Sequence, residues 1–379
     1  MIRSTVAHVD LAALQANFKS IQDFLAAGTA NRPVPQVIAV VKANAYGHGA
    51  ERVALALETA GAGLLACADI EEGIVLRRAG VRAPILVFGA LSVSDLDGVF
   101  EFSLTPTISS PAAARAVQAA AAKHSKTLGY HLKVDTGMNR LGFRHDNLRR
   151  TLPELLGSPN LRLEAIFTHF ATADDPERTF FNEQREHFET ALKTVEELGG
   201  RDRPVVHAAN SAATLRDSRV WYDMVRPGLL LYGIVPPPMA TTIPLTPVMS
   251  LTSRVVAVKG LRPGEGVGYG LRFHAEKPVT TAVIPAGYAD GIDLRVSGRC
   301  HVLIRGRRVP IVGAVSMDMM TVDVTGLDDV SPGDEVVIIG RQGNESWQQI
   351  DAREMAAAIG TIPYEIVCRI GARIERRYK

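Results

Sequence analysis

The sequence predicts an α/β fold in two parts, an N-terminal (β/α)8 barrel over residues 1–238 followed by a mostly-β domain over residues 239–379. Three observations carry this. Short apolar runs suited to buried parallel strands alternate with helical segments through eight units in the first ~230 residues. The stiff stretch Pro236-Pro237-Pro238, which suits neither helix nor central strand, interrupts the alternation. Beyond it, short β-rich runs recur with Gly turns between them.

The first run, Thr5 to Val9, reads as a strand that can pack with the second domain. Asp10 is placed to cap a helix whose apolar positions Leu11, Leu14, Phe18, Ile21 and Leu25 follow helical spacing. Strand-like runs then end near Lys42, Ala68, Gly89, Ile108, Asp135, Thr168, His207 and Arg226. Helical segments lie between most of them, as at 50–60, 70–80, 112–122 and 182–198. A doubly wound open sheet is the rival, but it does not usually need eight units. Downstream, strands are expected at 250–258, 279–284, 302–304, 309–312, 320–324 and 335–339. One late helix, Asp351 to Ile359, stops at Gly360. No solenoid repeat is present.

The chain has 379 residues, 46% hydrophobic and 22% charged, with a formal net charge of +2. That composition fits a globular enzyme and excludes a disordered or fibrous chain. Basic residues are scattered except at Arg369 to Lys379, read as a solvated end, so neither nucleic acid nor an anionic membrane is an expected partner. Cys67, Cys300 and Cys368 are odd in number, far apart and without metal-ligand spacing, which suggests reduced thiols, no metal and a cytoplasmic setting. The start, Met1-Ile2-Arg3-Ser4-Thr5-Val6, has no apolar leader region, and no run approaches the ~18 apolar residues of a membrane span.

The run Val37-Ile38-Ala39-Val40-Val41 ends in Lys42 and opens into Ala43-Asn44-Ala45-Tyr46-Gly47-His48-Gly49. A lysine at a strand end ordinarily snorkels to water. Desolvated against apolar neighbours, its pKa falls and the free amine becomes a nucleophile. The barrel reading brings further groups to the same mouth: Tyr46, Lys133, Asp135, Arg140, His169, His207, Asn210, Ser211, Arg226 and Gly228. Singly, each is more often a satisfied structural group; in register they are harder to dismiss. Loops after the last two barrel strands commonly hold a phosphate. A nucleophilic lysine facing a phosphate cradle suggests pyridoxal 5′-phosphate.

The motifs Val40 to Gly49, Lys133-Val134-Asp135-Thr136-Gly137-Met138-Asn139-Arg140-Leu141-Gly142, Thr168 to Asp174 and His207 to Leu215 resemble those of the alanine racemases of the fold type III pyridoxal-phosphate class. The likeness continues through Val225-Arg226-Pro227-Gly228, Gly268-Tyr269-Gly270, Gly287 to Gly291, Ser316-Met317-Asp318 and Tyr364-Glu365, spanning the whole chain.

The resemblance implies that Lys42 carries the cofactor and is one catalytic base, and that Tyr269, from the second domain of a partner subunit, is the other. Two bases are needed because the α-proton must leave one face of a planar carbanion and return to the other. A neutral phenol is a poor base near pH 7, so His169 and Arg226 would assist it. Arg226 would also face the pyridine nitrogen. By the same likeness, Tyr46, His169, Asn210, Ser211, Arg226, Gly228 and Tyr364 bind the cofactor. Arg140 and the Met317 backbone hold the substrate carboxylate, and Lys133 is a site of carbamylation. Asp174, Tyr288, Arg295 and Asp318 line an access corridor. Some positions depart from the family pattern: Asn139 stands where Gly is common, Ala314 replaces a corridor arginine, and Ile292 to Arg295 carries one extra residue. The implied function is a homodimeric enzyme that interconverts L- and D-alanine and supplies D-alanine for peptidoglycan. A broad-specificity amino-acid racemase and a non-catalytic pyridoxal-phosphate-binding protein are the alternatives; a related decarboxylase would want an acidic residue where Arg226 stands.

Overall fold

The computed structural model describes residues 4–29, 32–91, 96–199, 203–343 and 347–379. Met1 to Arg3, part of the stretch read above for a leader, lie outside the described residues.

Strand β1 (Val6–Val9) leads to Asp10, whose carboxylate accepts a 2.9 Å hydrogen bond from the Ala13 amide and starts the helix Leu11–Ala27. Leu14, Phe18, Ile21 and Leu25 turn inward, each no more than 1% exposed. Each such burial contributes about 1.5–3 kcal/mol. Asn17 shares that face and is buried but satisfied. Its amide donates to the carbonyls of Leu231 (3.0 Å) and Thr246 (2.8 Å) and accepts from the Thr246 amide (2.8 Å), tying the helix to the segment that follows the proline linker.

The barrel strands are β2 (Gln36–Val40), β3 (Leu64–Cys67), β4 (Ile85–Val87), β5 (Thr105–Ile108), β6 (Leu128–Asp135) with the short β7 (Phe143–Arg144) on its end, β8 (Leu161–Phe167), β9 (Val205–Asn210) and β10 (Met224–Arg226). Neighbours in this series pair in parallel, β6 bonding β8 past the short β7, and β10 pairs with β2 to close the ring. The closure decides against the open sheet. Helices Ala50–Thr59, Ile70–Arg78, Pro111–Lys123 and Phe180–Glu197 cover it outside, near the expected positions.

The second part contains β11 (Met249–Arg254), β12 (Ala257–Leu261), the ribbon β13 (Gly266–Val267) and β14 (Phe273–His274), β15 (Val279–Ile284), β16 (His301–Ile304), β17 (Arg307–Val312), β18 (Met320–Asp323), β19 (Glu335–Gln342), β20 (Gln348–Ile350) and β21 (Glu375–Tyr378). Their main sheet has the order β12-β15-β18-β17-β16-β19-β11-β1-β21, so the chain's first strand belongs to this sheet.

Two expectations are corrected. The run 250–258 is not one strand but the pair β11 and β12, broken where the Val255 amide bonds Asp334 O and the Val256 amide bonds Val283 O as the chain changes partners. The C-terminal basic stretch is not merely a solvated end: β21 pairs in parallel with β1, and Ile370 and Ile374 are buried. Alternation along Glu375–Tyr378 puts its arginines beside, rather than in place of, a sheet surface.

Candidate active site

Fourteen residues, thirteen from the barrel and Tyr364 from the second part, line a cavity at the strand ends of the barrel. Ten predicted residues meet there: Lys42, Tyr46, Lys133, Arg140, His169, Asn210, Ser211, Arg226, Gly228 and Tyr364, walled by Val40, Phe88, Leu141 and Phe167. Four of the ten carry basic side chains and, among the described residues, no carboxylate lines the space. Such a cavity attracts an anion.

Lys42 follows β2 directly, and the next four residues, Ala43 to Tyr46, all have positive φ near 53°, a left-handed turn closed by Gly47. L-residues resist this conformation by about 1–2 kcal/mol each, so the turn persists only because other groups hold it. Glu72 is one holder: its carboxylate accepts from the amides of Ala43 and Ala68, both at 2.7 Å. Gly47 presses on the Val367 carbonyl, leaving no room for a side chain. The turn carries Tyr46 back beside Lys42. Lys42 is open to the cavity, yet the surrounding walls and the Arg140 guanidinium hold its amine below the ordinary lysine range.

One end of the cavity is a set of neutral donors. Ser211 follows β9 and Gly228 follows β10, with the Gly228 amide 2.9 Å from Ser211 Oγ. The Tyr46 hydroxyl lies beside them, and the rings of Tyr46 and Tyr364 stand 5.9 Å apart. Burial, with Asp174 and Cys368, pushes the Tyr364 phenol up to about 12, so it stays a protonated donor.

The middle is dominated by Arg226, 4% exposed. Its guanidinium donates to His207 Nδ1 (2.8 Å), Thr168 O (2.8 Å), Ala208 O (2.8 Å) and His169 Nδ1 (3.2 Å). Since Arg226 can only donate, both imidazoles accept through Nδ1; His207 therefore keeps its proton on Nε2, while His169 Nε2 stands 3.5 Å from Asn210 Nδ2. His207 passes that proton toward His131 Nδ1, 3.0 Å away. Burial and the Arg226 charge hold His169 and His207 well below the ordinary histidine range. Burial brings Arg226 itself down to about 9, so it remains a cation at neutral pH.

Lys133, 6% exposed, ends over the Phe167 ring at 4.7 Å. Burial, then Arg226 and Arg140, bring its amine down to about 7.

Six further predicted residues do not line the cavity of this chain. Tyr269 is 78% exposed, Met317 53% and Tyr288 44%, all on the second domain's surface. Asp174 is exposed near Tyr364. Arg295 pairs with Asp293 at 2.7 Å and Glu365 at 3.4 Å, while Asp318 pairs with Arg373 at 2.6 Å.

Sequence reading missed Glu72, the flanking rings Phe88 and Phe167, and His131. Glu72 stands three residues after the helix cap Asp69, an acidic capping pattern that could have drawn attention to it. Nothing local marks the others, which reach the site only through closure of the barrel.

The residues fit pyridoxal phosphate by their chemistry: a depressed lysine amine, carboxylate-free donors at one end with a glycine whose Cβ would intrude, and a buried cation between aromatic walls. Fold and cavity define the class of barrel enzymes that pair a lysine amine with an anion cradle. Residues 9–236 match the alanine racemase N-terminal domain and residues 248–378 the alanine racemase C-terminal domain. The chain belongs to the alanine racemase family. An alanine racemase of Halothermothrix orenii is 39% identical over 378 residues, 100% of this chain and 97% of that protein. The structure of alanine racemase from D-cycloserine-producing Streptomyces lavendulae superposes with a TM-score of 0.93 at 34% identity, covering 100% of this chain and 98% of that one. That of Bartonella henselae alanine racemase with covalently bound pyridoxal phosphate gives 0.87 at 30% identity, covering 99% of each. No helix among the described residues is long and apolar enough to cross a membrane.

Proposed function

We propose that this chain is a pyridoxal-phosphate-dependent alanine racemase that interconverts L- and D-alanine and supplies D-alanine for peptidoglycan in the cytoplasm. The observation that carries the reading is the meeting of Lys42, the Ser211–Gly228–Tyr46 donors and Arg226 in one carboxylate-free cavity. Bound pyridoxal phosphate supplies an electron sink that stabilises negative charge at the substrate α-carbon. Ser211, Tyr46 and Tyr364, with Gly228 giving the space for close approach and Asn210 and His169 beside them, would hold its phosphate. Arg226 would stand by the ring nitrogen as a group that can only donate, which would leave that nitrogen unprotonated and the sink weak, limiting side reactions. Arg140 and the Met317 backbone hold the alanine carboxylate.

Lys42 Nζ moves the α-proton on one face. The hydroxyl of Tyr269 moves it on the other, supplied by a second copy of the chain: one protomer leaves Tyr269, Leu271 and Met317 exposed by half or more, and none of them lines its own Lys42 cavity. Burial and the neighbouring guanidiniums bring the Lys133 amine down to about 7, which favours the neutral form that reaction with CO₂ requires; the amine nitrogen would bond the carbon as one C–O π bond opens and a proton leaves, and the resulting carbamate would orient Arg140.

The test incubates the protein and pyridoxal phosphate with L-alanine in D₂O and follows both enantiomers by chiral chromatography, with serine, lysine and arginine alongside. Deuteration and approach to a 1:1 mixture with alanine alone support the reading. Comparable rates on the larger amino acids favour a broad racemase, the reading that Ala314 and the 292–295 segment keep in view. Mixing Lys42→Ala with Tyr269→Phe protomers tests sharing: a mixed dimer holds one intact site only if Tyr269 works across the interface, restoring about a quarter of wild-type activity in a random mixture.

A further inference from the structure

We infer that Gln184, on the outer helix Phe180–Glu197, is a positioning residue that locks the loops after β6 and β8 together and thereby aims His169 and Arg140. Gln184 is fully buried and makes three hydrogen bonds. Its Oε1 accepts from the Ala171 amide at 2.8 Å, and its Nε2 donates to His169 O at 3.1 Å and Thr136 Oγ1 at 3.2 Å. The orientation of the amide is fixed by its partners, because an amide N–H can only donate and a carbonyl can only accept. Thr136 Oγ1, which accepts from Gln184, also shares a hydrogen bond with Thr168 Oγ1 at 2.7 Å.

One amide thus joins four strand-end residues. Thr136 precedes Arg140 by four positions in the loop after β6, while Thr168, His169 and Ala171 form the loop after β8. His187, one turn along the same helix, adds a bond from Nδ1 to Thr136 O at 3.1 Å. Gln184 does not line the cavity. Its influence passes through the His169 backbone, whose ring is set between Arg226 at Nδ1 (3.2 Å) and Asn210 Nδ2 at Nε2 (3.5 Å) on the cavity wall. Misplacement of reacting groups by a fraction of an ångström costs rate even when the mutation is remote.

The inference rests on the racemase reading, in which His169 serves the Tyr269 side of the reaction. The variant Gln184→Met keeps the volume and removes the donors and acceptor. Its kcat should fall about tenfold while KM for alanine changes less than about threefold, since aim rather than binding is lost. The primary isotope effect with α-deuterated alanine should rise for the L-enantiomer more than for the D-enantiomer. In the protein without cofactor, exchange of the Ala171 amide should accelerate about tenfold or more while amides within 180–197 keep their protection. Thr136→Val, which removes only one of the three partners, should move each readout the same way by less, and decides the matter if Gln184→Met does not fold. Unchanged isotope effects, or exchange that accelerates uniformly across the barrel, would overturn the inference. A wild-type protein without racemisation would instead overturn the parent reading, and the exchange result would still judge the loop lock.

Discussion

A Cβ on Gly228 would fall 2.2 Å from the Tyr46 hydroxyl oxygen, so the left-handed turn after Lys42 and the loop after β10 meet with no space between them. The φ of Gly228 is −109°, open to any residue, and the requirement for glycine is therefore steric. Gly228→Ala should push Tyr46 aside and spoil the donor set at the phosphate end. Overpacking of this kind costs about 1–3 kcal/mol, equivalent to a cofactor Kd weakened roughly 10- to 100-fold. Titration of the unloaded protein with pyridoxal phosphate, read by the visible absorbance of the lysine-bound form, checks this; an unchanged Kd would show that the cradle lies elsewhere.

Arg226 presents a planar fork to two imidazoles and two carbonyls at once. A lysine ammonium is a point donor on a flexible stem and cannot reach all four. Arg226→Lys leaves at least one buried acceptor unpaired, at about 1–3 kcal/mol each. Urea unfolding should show a loss of about 2–4 kcal/mol, with racemisation at least about tenfold slower; a loss within 0.5 kcal/mol would mean the network is dispensable.

Lys133 makes stability depend on pH. Folded, its amine loses a proton near 7; unfolded, near the ordinary 10.5. Below pH 7 both states hold the proton, and the cost of burying the ammonium is felt in full. Between about 7 and 10.5 the unfolded chain binds more protons, so unfolding becomes harder as pH rises, by a few kcal/mol at most. In CO₂-free buffer without cofactor, wild type should therefore gain stability from pH 6.5 to pH 9, and Lys133→Met should flatten the slope. A Lys133→Met protein with the wild-type slope would assign the effect to other buried cations such as Arg226.

Most of the barrel was legible because its strands and helices differ in local texture. The run Val37 to Val41 announces a buried strand, and Asp10 caps its helix as the sequence suggests. Nine of the ten cavity residues were legible too, since they stand at or just past strand ends and parallel closure gathers strand ends at one mouth; Tyr364, on a helix of the second part, was expected from the family resemblance alone. What could not be read locally depends on distant partners. Nothing in Ala43-Asn44-Ala45 announces a left-handed turn, because groups far along the chain, among them Glu72, Val367 and Arg376, hold it. Gln184 looks like any polar residue of an amphipathic helix until the loops it bonds are in place. The basic C-terminus misled for the same reason: charge density suggested water, while the sheet edge at β1 supplied a partner.

That C-terminus yields a contrast between neighbours. Arg376 Nε donates to Gly47 O at 3.1 Å, and its other nitrogens bond Gly371 O (2.6 Å), Ile374 O (2.8 Å) and Ile370 O. It thus folds the 370–374 segment around itself and pins the end of the turn that begins at Lys42. Arg377, one residue on, pairs with Glu375, both about half exposed. Surface pairs of that kind contribute about 0–1 kcal/mol. Arg376→Met should lower stability by about 2 kcal/mol and weaken pyridoxal phosphate binding roughly tenfold, because the lost donors serve buried carbonyls and the turn bearing Lys42 and Tyr46 loosens. Arg377→Met should change stability by less than about 0.5 kcal/mol and leave the cofactor Kd alone. Chemical unfolding and cofactor titration of the two variants side by side separate a specific brace from the loss of one positive charge: equal effects at 376 and 377 would leave only the charge.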